Sequence, residues 1–178
     1  QLPVLPPTVP PTAAPISGSS KPTPILAPGD FTAQSSHDFT SLETGGSTET
    51  ATVGEPSLGS MTNNIIFYTA NWFAARSMDG GASFNYVDPY SLFPSINGGF
   101  CCDQVVHYAP NQNMLIWSLL YGKDATSGTL RIAVAAGSAN VASNTWTYYS
   151  FNPQVLGFPS GNWMDFPNLT VGATHLYI

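Results

Sequence analysis

The eight residues Ser77-Met78-Asp79-Gly80-Gly81-Ala82-Ser83-Phe84 leave the chain little conformational choice. The Asp79 carboxylate can accept hydrogen bonds from N–H groups of its own turn, Gly80 and Gly81 tolerate positive φ, and Phe84 can pack back under the connection. A tight β-hairpin is expected, with strands at about Trp72 to Ser77 and Ser83 to Val87. Ser77, Asp79, Gly81 and Phe84 then have structural roles, because a turn this heavily specified holds the register of the strands it joins.

Similar strand pairs recur along the chain. An acidic residue opens a strand, a turn follows, and an apolar strand containing an aromatic comes next. The three instances are Glu55-Pro56-Ser57-Leu58 with Ile65-Ile66-Phe67-Tyr68, Asp103-Gln104-Val105-Val106 with Met114-Leu115-Ile116-Trp117, and Asp165-Phe166-Pro167-Asn168-Leu169 with His175-Leu176-Tyr177-Ile178. The acids lie 48 and 62 residues apart, which suits a four-stranded β unit of about 40–50 residues lengthened by a loop in the second case. The second unit continues with Leu130 to Ala135 and Trp146 to Phe151, joined through Gly137 to Asn144. No amphipathic helix is predicted.

The pattern Ser77-x-Asp79-x-Gly81-x-x-Phe84 resembles the Asp-box, a hairpin turn of sialidase-like β-propellers. The run Tyr68 to Ser77, the segment Phe100-Cys101-Cys102-Asp103-Gln104 and the segment Trp163-Met164-Asp165-Phe166-Pro167 are similar to those of secreted, sialidase-like propeller proteins, over roughly Glu55 to Ile178. The resemblance implies an all-β fold: a partial propeller of about two and a half four-stranded blades at about 55–95, 100–152 and, incomplete, 160–178. It also implies that the Asp-box lies on an outer hairpin, remote from a central channel. A closed propeller needs four or more blades. The sequence is therefore expected to be a fragment, to draw missing blades from another chain, or to form an open sheet stack.

Composition narrows the partners. Only 8% of the 178 residues are charged, against about 25% for an ordinary domain, and ten acids against four bases give a net charge of −6. No basic patch is available for phosphates, so nucleic acid and anionic membrane surfaces are poor partners. No apolar run reaches the ~20 residues of a membrane span. Low charge, abundant Ser, Thr and Asn, and Gln1 as a plausible mature terminus point to a secreted, extracellular protein. Residues 1–50 are rich in Pro, Thr and Ser and show no hydrophobic period, as expected of an extended linker or arm. Within it, Val4-Leu5 or Pro24-Ile25-Leu26 could alternatively dock along a sheet edge.

Glu55, Asp103 and Asp165 are the leading site candidates, since the repeat places each at the channel end of an innermost strand. Converging carboxylates raise one another's pKa unless a cation or sugar hydroxyls join them, and Ca²⁺ is the natural hard cation for such ligands. The alternative is that each acid caps neighbouring backbone N–H groups. Cys101 and Cys102 are the only cysteines. In an exported protein they form a vicinal disulfide, bridge elsewhere, or stay as buried thiols; the vicinal bond would set a hard apolar platform beside Asp103. Trp163 could stack on a sugar face. His107 shares a face with Asp103 by strict strand counting and reads as a buried, hydrogen-bonded histidine.

True sialidases clamp the substrate carboxylate with several arginines, one from an Arg-Ile-Pro segment. This chain has only Arg76 and Arg131, and Arg131-Ile132 is followed by Ala133, so those catalytic residues are not carried over. Asn168-Leu169-Thr170 is a glycosylation sequon that falls in a predicted innermost strand, where burial would block modification. The expected function is an extracellular, carbohydrate-associated binding or structural module, able to join a multi-chain assembly. A glycoside-processing enzyme with further catalytic residues outside this chain is the alternative.

Overall fold

A computed structural model of the chain describes residues 36–39, 54–122, 128–159 and 161–178. Apart from residues 36–39, the expected arm over 1–50, with Val4, Leu5, Pro24, Ile25 and Leu26, lies outside them. The described residues build an all-β structure of antiparallel sheets. Sheet 1 is a meander of β1 (Ser57–Ser60), β2 (Ile66–Thr69), β3 (Ala74–Ser77) and β4 (Asn85–Val87). Sheet 2 repeats that order with β5 (Phe100–Ala109), β6 (Met114–Tyr121), β7 (Thr129–Ala136) and β8 (Thr147–Phe151). A third sheet contains β9 (Thr170–Val171) and β10 (Leu176–Tyr177). Among the described residues the sheets do not close into a ring, and no helix is long and apolar enough to cross a membrane.

Sheet 2 is apolar along nearly every strand because both of its faces are covered. One face presents Val106, Leu115, Trp117, Leu119, Tyr121, Ala133 and Ala135, packed with Phe67, Ala74 and Val87 of sheet 1. Phe67 lies 5.0 Å from Trp117 and 5.4 Å from Trp146, and the two indoles are 5.3 Å apart. The other face carries Ala109, Ile116, Leu120, Leu130 and Ile132 against Trp163, Met164, Leu169 and Val171. Beyond sheet 1, Phe39 stacks on Tyr68 at 5.0 Å and meets Phe84 edge-on at 5.1 Å, covering an aromatic surface completed by Phe73 and Tyr86.

A six-residue helix, α1 (Gly137–Ala142), occupies the connection in which no helix was predicted. Gly137, with φ of 76°, releases the chain from β7, and burial of Val141 turns the segment back onto the core. Arg76 Nη1 then donates to the Val141 carbonyl at 2.6 Å and to Asn144 Oδ1 at 2.8 Å, tying α1 to β3. Trp72 also falls outside its predicted strand, because the Ala70 N–H donates to the Phe73 carbonyl at 3.0 Å and closes a turn there.

The Ser77 to Phe84 turn forms as its residues dictate. Ser83 donates to Asp79 from its N–H (2.9 Å) and its Oγ (2.6 Å), Ser77 Oγ donates to Asp79 Oδ1 at 2.7 Å, and the Gly81 N–H donates to Ser77 Oγ at 2.8 Å. Gly80 and Gly81 take φ of 73° and 92°. The hydrogen bonds from Ser83, then that from Ser77, hold the Asp79 carboxyl down to about 2. An unfolded aspartate titrates near about 3.9, so this stabilisation is complete above that value and is lost as pH falls toward 2. Urea midpoints of wild type and Asp79→Ala, measured from neutral pH downward, are expected to differ above about pH 4 and to converge in acid. A constant gap would rule out the ionised carboxylate as the source.

Candidate functional site

The start of β5 is where the sheets meet. Its register against β6 jumps between Phe100 and Cys102 and again between Cys102 and Val105, and Asp103 sits at φ of 50°. The irregularity accompanies contacts to residues distant in sequence. Gln104 turns its amide across to sheet 1, where Nε2 donates to the carbonyls of Ala70 (2.8 Å) and Phe73 (3.1 Å), while its Oε1 accepts from Trp117 Nε1 at 3.0 Å. The Asp103 N–H donates to Asn71 Oδ1 at 2.9 Å. The bulge breaks strict alternation, so counting from Asp103 to His107 does not establish a shared face; His107 is partly buried and paired with Ile116.

Glu55 adopts a left-handed backbone with φ of 62°, and in the third repeat so does Phe166, with φ of 41°. Phe166-Pro167-Asn168-Leu169 therefore matches Glu55-Pro56-Ser57-Leu58, and Asp165 stands one residue ahead of the position the spacing assigned to it. It does not open an innermost strand, because β9 begins only at Thr170. The three acids nevertheless come together. Burial, then repulsion by Asp103 and a hydrogen bond to it, and finally repulsion by Asp165, push the exposed Glu55 carboxyl up. Asp103 is only 8% exposed. Burial foremost raises its carboxyl too, partly opposed by a hydrogen bond from the Phe166 N–H, with Asp165 adding further repulsion.

Asp103 is thus hydrogen-bonded to both Glu55 and Asp165, and Asp165 also repels Glu55 directly. Among the described residues no group of three or more His, Cys, Asp and Glu side chains is disposed to hold a metal ion.

Cys101 and Cys102 are bonded to each other across a trans peptide, with Cα atoms 3.8 Å apart. Both are partly exposed directly before Asp103, and Cys101 lines a hollow of about 370 Å³ with Tyr90, Gly98, Gly99 and Phe100. A larger cavity of about 740 Å³ is bounded by Leu130, Phe151, Phe158, Trp163, Asp165 and Pro167, among others. Trp163 is seated closely there: a Cβ added to Gly128 would come within 2.9 Å of its ring. Trp163 and Asp165 therefore line the same cavity, and Asp165 is coupled to Asp103.

Both arginines are engaged elsewhere. Arg76 holds α1, and Arg131, 2% exposed, is enclosed by aromatic rings. Neither is presented as a carboxylate clamp. Sequence reasoning missed Gln104 and Asn71, whose roles depend on a turn 30 residues away; the only signal was that Gln104 is a polar residue inside an apolar strand. It also misplaced Asn168, which is exposed. No family model matches the chain, and no curated protein or solved structure is significantly similar to it.

Proposed function

We propose that this chain is an extracellular binding or structural module, carbohydrate-associated and built as part of a sialidase-like β-propeller whose Asp-box hairpin is the Ser77 to Phe84 turn. Two successive four-stranded meanders, packed face to face and followed by a third strand pair, support the propeller reading. The observation that carries the binding reading is that Trp163 and Asp165 line one cavity while Asp165 is electrostatically joined to both Asp103 and Glu55. An indole can stack on the apolar face of a sugar, and carboxyl groups can hydrogen-bond its hydroxyls. The Cys101–Cys102 bond fits an oxidising, extracellular setting and adds a rigid apolar surface beside Asp103.

A glycan array followed by calorimetry tests this reading. Saturable binding without turnover is expected, weakened about tenfold in Trp163→Ala, the scale of one aromatic contact; no binding to any glycan would remove it. The enzymatic reading is favoured by the contact between the Glu55 and Asp103 carboxyls, since glycoside hydrolysis works through a pair of acids. Turnover of aryl glycosides that is lost in Asp103→Asn would establish it. The exposed Leu176, Tyr177 and Ile178 support association with further copies or with a chain that extends the third sheet. Light scattering across concentrations distinguishes that from a monomer.

A further inference from the structure

Asn168-Leu169-Thr170 is the only Asn-x-Ser/Thr triplet in the 178 residues, and the expectation that it is buried does not hold. Asn168 precedes β9 and is exposed, as is Thr170, whereas Leu169 between them is partly buried against the cluster that contains Ile116, Leu130 and Ile132. The central residue thus anchors the triplet while the amide and the hydroxyl residue both face solvent. That is the presentation an acceptor sequon requires. We infer that Asn168 is a site of N-linked glycosylation, an inference that rests on the extracellular reading above.

The surroundings favour a glycan at this point. Phe166, two residues earlier, is 42% exposed, and Tyr177, the β10 partner of Thr170, is 58% exposed. With Leu156, Phe158, Leu176 and Ile178 they form much of the exposed apolar surface of a chain that carries few charges. A hydrophilic sugar chain at Asn168 would add a solubilising group beside Phe166 and Tyr177. Pro167, next to Asn168, also lines the Trp163 cavity, so the glycan would stand at its rim.

The chemistry is a group transfer. Asn168 Nδ2 attacks C1 of the first sugar of a lipid-diphosphate-linked oligosaccharide; the new N–C bond replaces the C–O bond to the diphosphate, which leaves with its lipid. The amide nitrogen gives up one proton, and nothing is oxidised or reduced.

The full chain, carrying an added signal peptide and expressed in a eukaryotic secretory host, provides the test. Intact mass and glycopeptide mapping should show a glycan at Asn168, removable by peptide N-glycosidase, lost completely in Asn168→Gln and Thr170→Ala, and retained in Thr170→Ser. Both medium and cell lysate are scored, so the outcome does not depend on efficient export. Leader-cleaved chain with unmodified Asn168 in either fraction, and no glycosylated form, overturns the inference. The extracellular reading is judged separately, by release into the medium and by the Cys101–Cys102 bond in the same preparation; it can survive the absence of a glycan.

Discussion

Replacing Gln104 with leucine is expected to cost about 3–5 kcal/mol of folding stability, although leucine is the more apolar side chain and the site is 1% exposed. The loss comes from the partners left behind. Trp117 Nε1 and the Ala70 carbonyl lose their hydrogen bonds to Gln104 within the packed region between sheets 1 and 2, and each unsatisfied buried group costs about 1–3 kcal/mol. The link between β5 and the Ala70 to Phe73 turn goes with them. Urea unfolding of Gln104→Leu and Gln104→Ala should give similarly low midpoints, because restoring apolar volume does not restore the bonds. If Gln104→Leu were as stable as wild type, the amide would not be joining the sheets.

Arg131→Ala should be nearly as damaging, at about 3–4 kcal/mol. The guanidinium carbon lies 4.1 Å from the Tyr121 ring centre, 4.6 Å from that of Tyr148 and 5.7 Å from that of Phe93. Nη1 donates to the Pro94 carbonyl at 2.9 Å and Nε to Ser150 Oγ at 3.2 Å. Alanine would empty the box and strand those acceptors. Arg131→Met should recover part of the loss, since it refills the space without a buried charge. Arg131→Lys should stay low, because an ammonium cannot reproduce the planar fork. Denaturant midpoints for the three variants at one pH check this ordering; an alanine variant within about 1 kcal/mol of wild type would contradict the enclosed geometry.

Local features were the legible ones. The turn at Ser77 to Phe84 is specified by residues that bond within it, and the meanders of sheets 1 and 2 follow from apolar strand segments separated by turn residues. The bond between Cys101 and Cys102 was one of the alternatives that adjacency allowed. Features that depend on contacts distant in sequence were not legible. The bulge at Asp103 exists because Gln104 reaches a turn more than 30 residues earlier, and α1 forms because Val141 has a pocket and Arg76 has a carbonyl to bind. Asp165 was matched by residue type, whereas the backbone puts Phe166 at the repeated position and still brings the Asp165 carboxylate close to Asp103. Asn168 was assigned to a buried strand because the third repeat was expected to begin where the acid does.

The convergence of acids from three separate repeats is tested most directly by carboxyl-carbon NMR titration of the wild-type chain, Asp103→Asn and Asp165→Asn. Glu55 and Asp103 should each titrate above the ordinary carboxylate range. The Glu55 midpoint should fall in Asp103→Asn, and the Asp103 midpoint should fall in Asp165→Asn. Ordinary midpoints for both acids, unmoved by either substitution, would mean that the three carboxylates do not share a site.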